Sequence, residues 1–240
     1  MKSSSISIII PGFNEKKRIE KTLRLLDQFC REHFQMYEII CVDDGSYDQT
    51  EKIVKNISKE LNRIIILRYT KNMGKGYAIR YGMAHAKGEF IFFTDADLPY
   101  NPMFFCQAMD LFKQKQCDIV VGNRHLRQSR NEANLSQKRK WASHTFSQLV
   151  RRLLKISVTD TQCGIKGFSR SCVQKLIQKS FINGYAFDVE IFVLSRSYQW
   201  YIESLPVTLV NNQMSKIRLR CDVFKMIWEL FQIFSKTCIH

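Results

Sequence analysis

Two aspartates, Asp95 and Asp97, follow an apolar run in the stretch EFIFFTDADLP, residues 89–99. Side chains alternate along an extended chain, so both carboxylates would lie on one face at the end of a buried strand. Like charges this close raise one pKa or need a counter-charge. A divalent cation supplies one, because Mg²⁺ binds one or two carboxylates together with water and substrate phosphates, and Mn²⁺ accepts the same ligands. A turn residue and a helix cap would explain one carboxylate better than two, so the pair predicts a metal site that clamps a nucleoside diphosphate.

Three more loops carry polar residues after apolar runs, in the sequences PGFNE (11–15), VDDGSYDQT (42–50) and KNMGKGYA (71–78). Taken singly, their glycines suit turns and their polar residues suit helix caps. Lys75 lies between two glycines before a helical stretch, but the spacing is not that of a phosphate-binding P-loop. Taken together, the loops offer groups suited to ribose, base, diphosphate or metal.

Apolar runs rich in Ile, Val and Phe predict the strands that would position these loops. The runs cover residues 5–10, 37–42, 63–68, 89–94 and 118–122, and segments of helical periodicity lie between them. This alternation predicts an α/β fold with a doubly wound, mostly parallel sheet. Ligands of such sheets bind beyond the carboxyl ends of the strands, where the four loops would converge.

The second half is less regular, but no linker rich in Pro, Gly or Ser separates it, so we expect one domain over residues 1–240. An edge-type strand is expected within residues 200–210. The apolar segment 223–234 is far shorter than the ~20 residues of a membrane span. It predicts either a buried helix or a helix lying in the bilayer interface. The N-terminal residues do not read as a secretory signal.

The charge of the chain is strongly basic, with a formal net charge of +15. Residues 124–155 hold nine Lys and Arg and a single acid, Glu132. This segment predicts a polyanionic partner or an anionic membrane surface, although a solvated basic face is the alternative. The eight cysteines form no C-x-x-C pair, which favours reduced core residues of a cytoplasmic protein over zinc or disulfide roles.

The motifs IIIPGFNE, VDDGSYDQT, KNMGKGYAIRYGM and DAD, in this order, resemble the nucleotide-binding half of the family 2 inverting glycosyltransferases, which have the GT-A fold. The later motifs GNRHL, DTQCGIKGFSR, GYAFDVEIF and SKIRL resemble the polyprenyl-phosphate branch, closest to dolichyl-phosphate glucose synthases and next to dolichyl-phosphate mannose synthases. The resemblance spans roughly residues 6–220. It implies a nucleotide-sugar half at about 1–122, an acceptor half at about 123–220 and a C-terminal amphipathic helix at 221–240.

The resemblance also implies roles for individual residues. Those that would bind the nucleotide sugar are Pro11, Phe13, Glu15, Asp43, Asp44, Lys75, Asp95, Ala96, Asp97, Gln162 and Gly164. Asp95 and Asp97 would also hold the metal. Those that would face the acceptor phosphate are Arg124, Arg139, Ser143, Ser215 and Lys216. Asp97, Arg139 and Asp160 would be catalytic.

Some features depart from the resembled family. Leu98 and Pro99 follow the DAD motif, so a third protein metal ligand from that loop is not expected. No arginine directly precedes Ser215, and the membrane helices of many relatives are missing. Attachment to a membrane would then rest on the basic segment, on the C-terminal helix or on a small membrane partner.

The expected function is metal-dependent, inverting transfer of a hexose from a nucleoside-diphosphate sugar to a polyprenyl phosphate, at the cytoplasmic face of a membrane. UDP-glucose is favoured as donor over GDP-mannose. One alternative is a hydroxyl acceptor, which would need a general base such as Asp160, Asp188 or Glu190. Another is a basic nucleic-acid-binding protein, which the absence of zinc-finger and RNA-recognition motifs disfavours. The sequence does not indicate an oligomeric state.

Overall fold

The five apolar runs of the first half form parallel strands in the computed structural model, which describes residues 4–131, 159–210 and 221–237. The strands are β1 Ile6–Gly12, β2 Tyr37–Asp44, β3 Ile64–Tyr69, β4 Phe90–Thr94 and β5 Ile119–Asn123. Each begins within one residue of the predicted start. Strands β1 and β2 continue two residues further than expected, so Asp43 and Asp44 belong to the end of a strand rather than to a loop.

Helices connect these strands, as the sequence periodicity predicts. They are α1 Ile19–His33, α2 Thr50–Glu60, α3 Lys75–His85 and α4 Met103–Lys115. Helices α1, α2 and α4 cover one face of the sheet, where residues such as Ile8 and Ile39 point, whereas α3 covers the other face with Ile9 and Ile40. The strands are apolar on both faces because helices bury both.

One strand of the second half runs against the others and sets the geometry of the site. Strand β7, Ile165–Ser169, pairs antiparallel with both β4 and β5. The order is β3-β2-β1-β4-β7-β5-β8, where β8, Ile202–Pro206, is the predicted edge strand and pairs parallel with β5. Since β7 is reversed, the loop before it lies at the same edge as the carboxyl ends of its neighbours.

The remaining elements complete the second layer and the rim. They are a small pair of strands, β6 Arg130–Asn131 and β9 Thr208–Leu209, and the helices α5 Arg170–Lys179, α6 Phe187–Ser197 and α7 Cys221–Thr237. Helix α7 packs against α6 through Ile233, which is almost fully buried. Among the described residues, no helix is long and apolar enough to span a bilayer. The predicted doubly wound α/β fold is confirmed.

Close packing of α3 on the sheet gives a stability test. A Cβ at Gly82 would lie 2.6 Å from Ile9 Cγ2. We expect Gly82→Ala to lower the free energy of unfolding by about 1–2 kcal/mol, because overpacking outweighs the gain in helix propensity. Ile9→Ala should cost about 2–5 kcal/mol through a cavity.

The double variant should lose less than the sum, because the new methyl group occupies part of that cavity. Urea unfolding of the four proteins measures this coupling. Strictly additive losses would contradict the close contact between α3 and β1.

Candidate active site

Each of the two aspartates after β4 faces its own protein cation. Asp95 Oδ1 lies 2.7 Å from Lys75 Nζ, and Asp97 Oδ2 lies 3.5 Å from Arg18 Nη1. Burial and the neighbouring Asp95 raise the pKa of Asp97, whereas Arg18 lowers it. The sequence analysis assigned the counter-charge to a metal alone, and the structure adds two side chains that share this task.

The two carboxylates fit a hard divalent cation only with help from a ligand. Among the described residues, no group of three or more His, Cys, Asp or Glu side chains is arranged to hold a metal. Mg²⁺ and Mn²⁺ accept one or two carboxylates when phosphate oxygens and water complete the shell. The donor set of Asp95 and Asp97 therefore suits a cation that arrives with a diphosphate.

Arg18 is a site residue that the sequence analysis missed. It directly precedes α1, and its Nε also contacts Glu15 Oε2 at 2.5 Å. A positive charge at a helix N-terminus is unfavourable with respect to the helix dipole. That misplaced charge, close to the PGFNE loop in sequence, was the signal available for finding it.

Lys75 begins helix α3, where the backbone N–H groups of the first turn also favour an anion. Its position depends on Gly74, which has a φ of 98°, and on Gly76, where a Cβ would lie 2.6 Å from Phe187 Cβ. Burial opposes the charge of Lys75, but Asp95 and Asp188 outweigh it and raise the pKa. The lysine stays charged and suits a diphosphate.

Asp43 and Asp44 tie the loops of the predicted nucleotide site together. Asp43 accepts hydrogen bonds from Ser46 N at 3.1 Å and from Arg68 Nε at 3.1 Å. Asp44 accepts from Met73 N at 2.7 Å and from Gly74 N at 3.0 Å. Burial raises the pKa of Asp44. These contacts fix the loop that carries Lys75, and direct nucleotide binding by the two aspartates stays a prediction.

The PGFNE loop, which starts at Pro11 and includes Glu15, forms one wall with the loop after β2. Asn14 N donates to Ser46 Oγ at 2.8 Å, which joins the two loops. The rings of Phe13 and Tyr47 meet edge to face with centroids 5.7 Å apart, and Tyr47 is 84% exposed. The sequence analysis missed Tyr47, although an exposed aromatic ring at a ligand edge suits a nucleobase.

The DTQCG loop reaches Asp95 because β7 is antiparallel to β4. Thr94 pairs with Ile165, so Gly164 lies against the residue after β4. A Cβ at Gly164 would lie only 2.0 Å from Asp95 Oδ2. Gln162, in the same loop, instead contacts Met226 of α7 through Nε2 at 3.5 Å from Sδ.

Ala96 lies between the two aspartates and is almost fully buried. Its carbonyl oxygen accepts a hydrogen bond from Thr22 Oγ1 at 2.7 Å, which anchors the DAD loop to α1.

Arg124 and Asp160 pair with each other at the end of β5. Arg124 Nε lies 2.7 Å from Asp160 Oδ2, and Nη2 lies 2.8 Å from Oδ1. Asp160 is completely buried; burial alone would raise its pKa, but Arg124 lowers the pKa below its usual value. The sequence analysis assigned these residues separate roles at acceptor phosphate and sugar, whereas the structure joins them in one bidentate ion pair.

The other two carboxylates considered as a general base are also engaged. Glu190 is 1% exposed and accepts hydrogen bonds from Phe181 N at 2.8 Å and from Ile182 N at 3.2 Å. Asp188 lies between the ammonium groups of Lys166 and Lys75. Arg139, Ser143, Ser215 and Lys216, predicted for the acceptor, lie outside the described residues.

Comparison with known proteins agrees with this geometry. The sequence profile of the family described as Glycosyl transferase family 2 matches residues 7–177. A dolichyl-phosphate beta-glucosyltransferase of Trichomonas vaginalis is 32% identical over 236 residues, which cover 95% of this chain and 70% of the relative. A dolichyl-phosphate beta-glucosyltransferase of Saccharomyces cerevisiae is 31% identical over 242 residues, covering 94% of this chain and 72% of the relative.

Solved structures show the same fold at lower identity. Glucosyl-3-phosphoglycerate synthase from Mycobacterium tuberculosis in complex with UDP superposes with a TM-score of 0.73 at 18% identity, covering 97% of this chain and 80% of that one. S. aureus TarS 1–349 superposes with a TM-score of 0.63 at 18% identity, covering 97% and 65%. These neighbours are GT-A glycosyltransferases. From its profile match and its relatives, the chain belongs to glycosyl transferase family 2 and is a glycosyltransferase.

Proposed function

We propose that the protein transfers glucose from UDP-glucose to a polyprenyl phosphate of the dolichyl type, with Mg²⁺ or Mn²⁺ and with inversion at the sugar. The names of the relatives support this donor sugar and this acceptor. The UDP complexes of the structural neighbour, some with Mn²⁺ or Mg²⁺, support the nucleotide and the metal. GDP-mannose is the competing donor, and a donor screen distinguishes the two.

The engagement of all three candidate bases carries the choice of acceptor. Asp160 is paired with Arg124, Asp188 with two lysines, and Glu190 with two backbone N–H groups. A hydroxyl acceptor needs a base to remove its proton. A phosphate monoester has a second pKa of about 6 and is mostly dianionic at neutral pH. A phosphate acceptor therefore attacks without a base, which matches these carboxylates better than a hydroxyl does.

In the proposed reaction, a phosphate oxygen of the acceptor bonds to the anomeric carbon while the bond from that carbon to the donor diphosphate breaks. The electron pair of the broken bond leaves with UDP. Asp95 and Asp97 would hold the divalent cation, which when bound offsets negative charge on the leaving diphosphate. Lys75 and the first turn of α3 bind the same diphosphate, and Arg18 keeps Asp97 and Glu15 in place.

We also propose that α7 rests on an anionic bilayer surface at the cytoplasmic side. Its outward side exposes a cluster of four large apolar residues, Ile227, Trp228, Phe231 and Phe234. The rings of Trp228 and Phe231 stack with centroids 5.8 Å apart. The chain's charge of +15 complements anionic lipids. Met226 of the same helix touches Gln162, so this surface adjoins the loop beside Asp95 and would bring a lipid acceptor to the site.

The first test is transfer itself. The protein with UDP-glucose, Mn²⁺ and a polyprenyl phosphate should yield a hexosyl polyprenyl phosphate, detected by mass spectrometry. Asp97→Ala should reduce transfer by about a thousandfold, because a carboxylate that holds the cation is lost. Asp110→Ala, at an exposed position of α4, should not change it. No lipid product with any sugar donor would refute the proposed function.

A second test uses the contact between Gly164 and Asp95. We expect Gly164→Ala to lower transfer about tenfold or more at low Mn²⁺, because the methyl group displaces the Asp95 carboxylate from its 2.7 Å contact with Lys75. High Mn²⁺ should recover part of the rate. The thermal midpoint should change little, since only a partly exposed carboxylate has to move. Equal activity of both proteins at every Mn²⁺ concentration would refute the role of this contact.

A third test concerns the apolar cluster of α7. Replacing Trp228 and Phe231 with Ser should weaken binding to vesicles rich in phosphatidylserine by about tenfold or more, because two large apolar side chains no longer enter the interface. Leu25→Ser is the matched control, since Leu25 is exposed to a similar degree on α1. Vesicle co-sedimentation measures both. Equal loss in the control, or none in the double variant, would exclude this surface as the bilayer contact.

A further inference from the structure

Asp188 connects two lysines at the edge of the donor site. Its Oδ2 lies 3.8 Å from Lys75 Nζ, whereas its Oδ1 bonds Lys166 Nζ. Lys75 in turn reaches Asp95 at 2.7 Å. The four side chains form an alternating row of charge, Asp95, Lys75, Asp188 and Lys166, that runs from the surface into the core.

Lys166 closes this row in the interior. It lies in β7, is completely buried and also donates to the carbonyl oxygen of Cys163 at 2.7 Å. Its ammonium lies 5.3 Å from the centroid of the Phe93 ring, and that of Lys75 lies 6.0 Å from the same ring. A buried ion pair of this kind is weak evidence for stability, because desolvation offsets the attraction. Its cost is easier to explain if the pair holds another group in place.

Lys75 has two acceptors, and only one of them would serve the metal. If the cation takes Asp95, as in the proposed function, the nearest partner of Lys75 is drawn away toward the metal. Asp188 remains as the second acceptor. It is fixed by a lysine that cannot leave the core, and it keeps the ammonium beside the first turn of α3, where a diphosphate would bind.

We propose that Asp188 is a positioning residue that keeps Lys75 directed at the donor diphosphate when the metal occupies Asp95, and that Lys166 holds Asp188 in place. The inference rests on the proposed function for the identity of the ligand. It assigns Asp188 no role as a base. Its effect reaches the donor only through Lys75.

Titration calorimetry with UDP and Mn²⁺ tests this without any turnover. Asp188→Asn should weaken UDP binding about tenfold, since the neutral amide attracts Lys75 far less. Lys75→Met should weaken it at least as much. The variant with both changes should bind no more weakly than Lys75→Met alone, because Asp188 acts through Lys75.

Glu190→Gln is the matched control. Glu190 is a buried carboxylate on the same helix, two residues further on, and its partners are backbone N–H groups rather than Lys75. This variant should bind UDP as the unchanged protein does, even if its unfolding midpoint falls. If it weakens binding as much as Asp188→Asn does, the effect is general destabilisation and the inference fails.

A second variant separates positioning from stability. Combining Lys166→Met with Asp188→Asn removes the buried charge, so its unfolding midpoint should exceed that of Asp188→Asn, whereas its UDP binding should stay weak. Recovery of binding together with stability would overturn the inference. So would unchanged binding by Asp188→Asn, provided that the unchanged protein binds UDP with Mn²⁺. Failure of the unchanged protein to bind UDP would instead count against the proposed function.

Discussion

Repulsion between two neighbouring carboxylates at the end of a buried strand is the constraint on which the site depends. Asp95 and Asp97 emerge from β4, and the protein places a cation beside each, Lys75 and Arg18. Both cations come from the start of a helix that follows a different strand. The loops after β1, β3 and β4 are therefore held together by charge, and a diphosphate with its metal enters an edge where positive and negative groups already alternate.

The reversed strand β7 makes that edge complete. In an all-parallel sheet the residues before a strand lie at the opposite edge from those after it. Reversal of one strand brings the segment 159–164 to the carboxyl ends of β4 and β5, where Gly164 meets Asp95 and Asp160 meets Arg124. The close approach at Gly164 needs the absence of a side chain, which gives the glycine of the DTQCG motif a physical reason. The donor half and the second half thus share one surface.

The alternation of apolar runs and helical periods predicted the five strands, their order along the chain and the edge that carries the site. Residues in strand-to-helix loops, such as Lys75 and Asp95, were predicted because parallel topology brings those loops together. The pairing of Arg124 with Asp160 was not, because the partners are 36 positions apart and the approach depends on the direction of β7. Arg18 and Lys166 were missed for a related reason: each is an ordinary basic residue in sequence, and only its neighbours in space give it a role.

Helix α7 is more than an appended segment. Glu229 Oε2 accepts a hydrogen bond from Ala186 N at 3.1 Å, and a Cβ at Gly184 would lie 2.2 Å from Glu229 Oε1. The turn held in this way leads directly into α6 and Asp188. One side of α7 thus braces the approach to the donor site while its other side faces outward with aromatic residues. The helix is not an interchangeable module: replacing it with the anchor of another enzyme would preserve attachment yet loosen the turn that precedes Asp188.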